Sequence, residues 1–304
     1  NQLVGKQNMA IISRLLEDPE FEFFCLVDSA HNVESLGGFF GNRKQRLNVL
    51  IESGAEDGRT GVRNREQLRA LIEALSRYPA AFSLCGLEVY EGVLNDERAI
   101  RSYLQGAIDI ARELAHDGLF HRHPVILSGA GSTWYDVVAE IFSNSDIGEP
   151  IELILRPGCY LAHDVGAYRV AQEQIQRRNP VAREMDPALQ PALQLWAYVQ
   201  SIPEPEKAIL TLGKRDVAFD AGLPVPVAQY RPGQPQPVAA PKSWSLTRIM
   251  DQHAFMQIGN GDNIRVGDMI ALDISHPCLT FDKWRYLPVL DSEYRVIDIV
   301  QTFF

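Results

Sequence analysis

Between residues 22 and 201, short runs of β-branched and apolar residues alternate with longer stretches in which apolar positions recur every three or four residues. The runs Glu22 to Val27, Leu47 to Glu52, Ser83 to Tyr90, Val125 to Leu127 and Ile151 to Leu155 predict strands, being short, apolar and bounded by turn residues. The stretches Arg65 to Arg77, Glu97 to His116 and Trp134 to Ser143 predict helices, because a period near 3.6 gathers their apolar side chains on one face. Strand and helix in repeated succession imply a parallel sheet joined by crossover helices. Five such strands suit either an open doubly wound sheet or the later five strands of an eight-stranded barrel, and the pattern alone does not choose.

After about Ser201 the texture changes. Pro203 and Pro205 come first, and the stretch from Tyr230 to Pro241 reads YRPGQPQPVAAP, which predicts loop or linker. Short strand-like pieces follow at Ile264 to Val266, Met269 to Ile274, Trp284 to Val289 and Tyr294 to Thr302, separated by turn residues such as Gly259 to Asn263 and Asp291 to Glu293. This predicts an α/β domain over residues 1–201 and a small β domain over 202–304, with no internal repeat and no heptad pattern.

Composition narrows the function. A chain of 304 residues with 46% hydrophobic and 22% charged residues can bury a core without disulfide or metal staples. A net charge of -10 opposes binding to a nucleic-acid backbone, and no apolar run approaches the ~20 residues of a membrane-spanning helix. A small molecule is therefore the expected partner. The four cysteines, Cys25, Cys85, Cys159 and Cys278, are widely scattered, which argues against a disulfide framework; together with the absence of a visible leader they point to a reducing, cytoplasmic compartment. Of the 29 basic residues only six are lysines: Lys6, Lys44, Lys207, Lys214, Lys242 and Lys283.

Several short motifs carry candidate chemistry. Ser128-Gly-Ala-Gly-Ser-Thr133 follows a strand and enters a helix; its glycines allow backbone N–H groups to approach an anion, and two hydroxyls add donors, so a phosphate fits. It has neither the Walker ending nor the dinucleotide spacing, and a plain strand-to-helix turn reads the same way. Arg156-Pro-Gly-Cys-Tyr160 stands just past the next strand, where Gly158 permits close backbone approach and Tyr160 offers a hydroxyl. Gly58-Arg-Thr-Gly61 and Glu88-Val-Tyr-Glu-Gly92 place Arg59 and Tyr90 at neighbouring strand ends, where they could clamp and stack a planar ring; surface arginine and core tyrosine are the alternatives. His276-Pro-Cys278 sits on or just after a strand, where side chains two apart point the same way, so imidazole and thiolate could grip one zinc ion. His253 is a further ionisable candidate.

Taken in order, Gly58-Arg-Thr-Gly-Val62, Gly86-Leu-Glu-Val-Tyr-Glu-Gly92, Ser128-Gly-Ala-Gly-Ser-Thr133, Arg156-Pro-Gly-Cys-Tyr160 and Asp273-Ile-Ser-His-Pro-Cys278 resemble the D-serine dehydratase and D-threonine aldolase group, nearest its bacterial D-amino-acid deaminases. The resemblance runs the whole chain and implies a partial (β/α)8 barrel of the alanine-racemase type, represented by its later five strands, followed by a small β domain. It further implies pyridoxal phosphate held by Gly131, Ser132 and Thr133 with Gly158, Cys159 and Tyr160; a cofactor ring lined by Arg59 and Tyr90; and zinc bound by His276 and Cys278. Cys159 stands where relatives often have another small or polar residue, so its contact is expected through backbone N–H. His253, in Gln252-His253-Ala254 where the family has Glu-His-Gly, resembles its histidine close to the substrate.

In this family the Schiff-base lysine lies on the first barrel strand in a Pro-His-x-Lys-type motif, and no such motif occurs here. Residues Asn1 to Val4 resemble the end of the third strand, so the sequence reads as N-terminally truncated; among the lysines present, Lys214 is the nearest to a replacement. For the intact enzyme the resemblance implies dehydration and deamination of D-serine, or a related D-3-hydroxy amino acid, to a 2-oxo acid and ammonia, with a homodimer as the assembly. Retro-aldol cleavage of the D-threonine type and a non-catalytic pyridoxal-phosphate-binding protein are the alternatives.

Overall fold

Five strands and the helices between them build the first of two units in this computed structural model, which describes residues 1–185 and 188–303. The units are Asn1–Pro157 and Gly158–Phe304. Compactness therefore divides the chain earlier than composition does, and Ser201 falls inside a strand.

In the first unit β1 (Phe24–Val27), β2 (Leu47–Ser53), β3 (Phe82–Val89), β4 (Val125–Gly129) and β5 (Ile151–Leu155) pair in parallel in the order β1-β2-β3-β4-β5. Sequential order without reversal is that of a barrel wall; a doubly wound sheet would reverse at a switch point. Gln2 bridges Leu26 in parallel beside β1, where the end of a preceding strand was expected. The helices α1 (Lys6–Leu15), α2 (Ala30–Gly41), α3 (Arg65–Ser76), α4 (Glu97–His116) and α5 (Tyr135–Ser143) complete the alternation. Side-chain caps set where three of them begin: Ser29, Asn64 and Asp96 accept hydrogen bonds from the N–H groups of Asn32, Gln67 and Ala99.

Alternation along the strands gives the sheet two different faces. Cys25, Val27, Val49, Ile51, Val125 and Leu127 join the large core with Leu36, Phe40, Leu104 and Phe142 from the helices. Leu26, Leu50, Cys85 and Ile126 form a separate cluster with Phe24 and Ile154 on the other face. Gly86 is obligatory between them, because a Cβ there would lie 1.9 Å from the carbonyl oxygen of Ile126.

The second unit opens with α6 (Ala167–Arg178) and α7 (Pro180–Glu184), then becomes almost wholly antiparallel. Its strands are β6 (Gln194–Glu204), β7 (Lys207–Leu210), β8 (Val225–Tyr230), β9 (Val238–Ala239), β10 (Ser245–Ile249), β11 (Ala254–Gln257) and β12 (Met269–Asp273), ordered β10-β11-β7-β6-β12-β8-β9. The helix α8 (Pro277–Phe281) precedes a hairpin of β13 (Tyr286–Leu290) and β14 (Val296–Gln301). Leu195, Val199, Leu210, Met256, Ile270 and Leu272 supply the core.

Two expectations change. Ile264 to Val266 is a turn and not a strand: the Asp268 carboxylate accepts the Arg265 N–H, and Gly267 has φ +92, which takes the backbone out of a ladder. Within the proline-rich stretch, Val238–Ala239 pairs with β8. Among the described residues no helix is long and apolar enough to cross a membrane.

Candidate functional site

The polar rim of the first unit follows from strand register. Asp28, Glu52, Glu88 and Ser128 come two residues after Leu26, Leu50, Gly86 and Ile126, so they project from the same face. Glu52 pairs in register with Glu88, and Glu88 with Ser128. Gln2 donates to Asp28 and Glu52, and the Thr60 hydroxyl also donates to Glu52. Arg156 donates through Nε to Ser128 Oγ at 2.9 Å and through Nη2 to Glu88 Oε1. Glu88 itself is 4% exposed, and its Oε2 has no hydrogen-bond partner. Burial pushes its carboxyl up to about 7, against the opposing pull of Arg156.

Beside this rim the guanidinium of Arg59 lies 4.1 Å from the centre of the Tyr90 ring, over which it stacks. Glu52, Thr60 and Tyr103 line a small cavity with them. The glycine turn after β4 is held from below by Glu91, a fully buried carboxylate whose Oε1 accepts the Gly131 N–H at 2.8 Å. Burial raises the Glu91 carboxyl and so favours its neutral form. Ser132 and Thr133 follow at the head of the segment leading into α5, each with interactions of its own.

In the second unit Gly158, Cys159 and Tyr160 form a single short helical turn. A Cβ at Gly158 would meet nothing within 4 Å, which leaves room at the backbone for a ligand. Cys159 is buried and Tyr160 is exposed. Burial pushes the Cys159 thiol up to about 12, and the neighbouring Cys278 adds to the effect. The sulfurs of Cys159 and Cys278 stand 3.3 Å apart.

His276 has extended backbone but Cys278 is helical. His276 is the residue before α8 and Cys278 lies in that helix's first turn, because Pro277 suits the first helical position, so the strand-based argument that both side chains project together does not hold. Each meets a different neighbour. His276 Nδ1 lies 2.8 Å from Asp220 Oδ2, while Cys278 faces Cys159. Desolvation of Asp220 is outweighed by the hydrogen bond from His276 and by adjacent backbone N–H groups, which hold its carboxyl below the ordinary range. Among the described residues no group of three or more His, Cys, Asp and Glu could hold a metal ion. A carboxylate on one imidazole nitrogen orients a histidine and leaves its Nε2 available to a ligand, so His276 has the partner that a ligating histidine uses. His253 precedes β11, is exposed, and accepts the Met250 N–H at its backbone oxygen.

Sequence reasoning missed Glu52, Glu88, Glu91 and Asp220. For Glu52 a signal exists, an acidic residue two positions after the inward Leu50; Glu88 stands two after Gly86, which has no apolar side chain to mark the face. Asp220 has none, since it approaches His276 from 56 residues away. Of the six lysines, Lys207 is half-buried and paired with Glu204, and the other five are exposed. Lys214 stacks its ammonium 5.1 Å from the Phe219 ring.

Residues 192–290 match the family model described as "Putative serine dehydratase domain". The chain is 24% identical over 290 residues to a D-threonine aldolase of Arthrobacter sp., a match covering 93% of this chain and 67% of that protein. Its structure is similar to the D-threonine aldolase of Filomicrobium marinum, with a TM-score of 0.72 and 20% identity, covering 98% of this chain and 73% of that one. It is also similar to the D-threo-3-hydroxyaspartate dehydratase of Delftia sp. HT23, with a TM-score of 0.69 and 14% identity, covering 98% and 77%. The resemblance drawn from the motifs is borne out at the level of a domain match over residues 192–290 and of the fold, which is of the alanine-racemase type, a parallel α/β sheet with an antiparallel β domain.

Proposed function

We propose that this chain serves a D-amino-acid lyase that dehydrates and deaminates D-serine, or a related D-3-hydroxy amino acid, to a 2-oxo acid and ammonia. The observation that carries the reading is the match of residues 192–290, which include His253, His276 and Cys278, to a serine dehydratase domain. When bound, pyridoxal phosphate supplies an electron sink for the substrate α-carbon and zinc a Lewis acid for its β-hydroxyl.

In the first unit Arg59 and Tyr90 would flank the cofactor ring, and Ser132 and Thr133 would offer donors to its phosphate, with Gly131 leaving space for it at the turn while its own N–H is held by Glu91. Glu91 would hold that turn in shape through the Gly131 N–H. In the second unit Gly158, Cys159 and Tyr160 would bind an anion through backbone N–H groups and the Tyr160 hydroxyl. His276 would offer Nε2 to zinc, since Nδ1 is committed to Asp220, and Cys278 would offer Sγ. Two protein donors leave positions for water and the substrate hydroxyl. His253 is assigned proton exchange at that hydroxyl. None of the six lysines is assigned a part in cofactor attachment.

A second reading, retro-aldol cleavage, is favoured by the 24% identity to a D-threonine aldolase. There the substrate hydroxyl loses its proton and the bond between the α- and β-carbons breaks. Product analysis separates the two: the whole protein with pyridoxal phosphate should release pyruvate and ammonia from D-serine. Release of glycine and acetaldehyde from D-threonine, with no pyruvate from D-serine, overturns the dehydratase reading. Borohydride reduction and peptide mapping check the lysine assignment, which a pyridoxyl adduct on Lys214 would reverse.

A further inference from the structure

The structure assigns a second chemistry to Cys278. Its sulfur lies 3.3 Å from that of Cys159, and both thiols are reduced. A disulfide bond is ~2.05 Å long, so closure needs a shift of only about 1.3 Å, within reach of small side-chain rotations. The two residues belong to the Gly158–Tyr160 turn and to α8, which pack against each other. The turn has space to adjust, since nothing lies within 4 Å of a Cβ at Gly158. The helix is anchored: the Thr280 hydroxyl donates to the His276 carbonyl and accepts the Ala218 N–H. Exposure differs across the pair, with Cys159 buried and Cys278 exposed. An exposed sulfur that meets the oxidant beside a buried one that resolves it is the arrangement of a reversible thiol pair.

We propose that Cys159 and Cys278 form an oxidation site that closes to a disulfide on reaction with a hydroperoxide. The sulfur of Cys278 attacks the peroxide bond and becomes a sulfenic acid, releasing water or the corresponding alcohol. Cys159 sulfur then displaces the sulfenic hydroxyl, which leaves as water with the Cys159 proton. Two electrons pass from the two sulfurs to the peroxide. The consequence for zinc rests on the function proposed above: a Cys278 sulfur in a disulfide is no longer a thiolate donor, so oxidation would empty the metal site and a reducing thiol would restore it. The pairing also protects, because a sulfenic acid captured by Cys159 does not proceed to the irreversible sulfinic acid.

The test treats the whole protein with sub-stoichiometric to equimolar hydrogen peroxide and maps peptides without reduction. A Cys159–Cys278 cross-link with the loss of two hydrogens is expected, with Cys25 and Cys85, both buried, unmodified. Cys278→Ser should abolish the cross-link. Cys159→Ala should abolish it too and convert the peroxide effect on Cys278 into one that dithiothreitol does not reverse. Zinc measured by atomic absorption after dialysis should leave the oxidised wild type and return on reduction. Cys278 passing to sulfinic acid in the wild type, or pairing elsewhere, overturns the proposal. A cross-link in a protein whose reduced form binds no zinc leaves the oxidation site standing and removes the metal assignment instead.

Discussion

The rim of the parallel sheet and the turn-and-helix cluster around His276 place reactive groups by opposite means. In the first unit Glu52, Glu88 and Ser128 sit side by side because ladder pairing fixes their register. In the second, His276 and Cys278 begin a short helix, and their partners Asp220 and Cys159 arrive from 56 and 119 residues away. The first arrangement is rigid and buried, suited to holding a carboxyl near neutrality. The second is partly exposed and built from loops, suited to ligands that come and go. Backbone pairing thus secures one set of side chains, while side-chain contacts alone secure the other.

The largest expected effects break this comparison at its backbone. Gly86→Ala would press a methyl 1.9 Å from the Ile126 carbonyl, and Gly213→Ala would do the same at 2.0 Å from the Asp251 carbonyl. Each should cost more than about 4 kcal/mol, the range of severe core strain. Hydrogen exchange should show protection lost in β2 to β4 for the first and in β7 and β11 for the second. Unchanged protection at β3 in Gly86→Ala would refute the register.

A smaller effect is read in pH. Burial pushes the Glu88 carboxyl up to about 7 in the folded chain from its ordinary 4.5, so the folded state holds the proton more tightly than the unfolded one. That contribution is fully present below 4.5 and is lost as pH rises through about 7, amounting to about 3 kcal/mol at most. Glu88→Gln should flatten the dependence of stability on pH between about 4.5 and 7, read from urea titrations across that range. An identical slope in the variant would assign the pH dependence elsewhere.

In the second unit Asp220→Asn should weaken zinc binding by roughly 10- to 100-fold without removing a direct ligand. Equilibrium dialysis measures it, and wild-type affinity would show that Asp220 does not orient His276. The smallest change is expected for Arg59→Ala, about 2- to 5-fold in pyridoxal phosphate affinity by fluorescence titration, as befits an exposed cation over one aromatic ring.

What could be read in the sequence follows the same division. The strands from β1 to β5 lie within two residues of the apolar runs, because alternating faces and a helical period between them leave little freedom. Arg59, in the loop after β2, meets Tyr90, the residue after β3, because the two strands are paired neighbours. The strands β6, β7, β8, β10 and β11 were not evident: β6 carries Pro203, accommodated beside a register shift, and the others are short and partly polar. His276-Pro-Cys278 read as extended chain, since a proline that opens a helix looks the same as one that ends a strand. Arg156 is half exposed but commits its guanidinium to Glu88, a contact that its place after a strand does not reveal. Contacts such as Cys159 with Cys278 depend on the closing of long loops, which no local pattern records.

The central claim is a D-3-hydroxy amino acid lyase that needs both pyridoxal phosphate and zinc. Its most direct test follows pyruvate released from D-serine by the whole protein supplied with pyridoxal phosphate, before and after zinc is removed with EDTA. Turnover of D-serine but not L-serine, lost on chelation and restored by Zn²⁺, is the result predicted. Cofactor binding with no turnover of D-serine, D-threonine or D-3-hydroxyaspartate would contradict it.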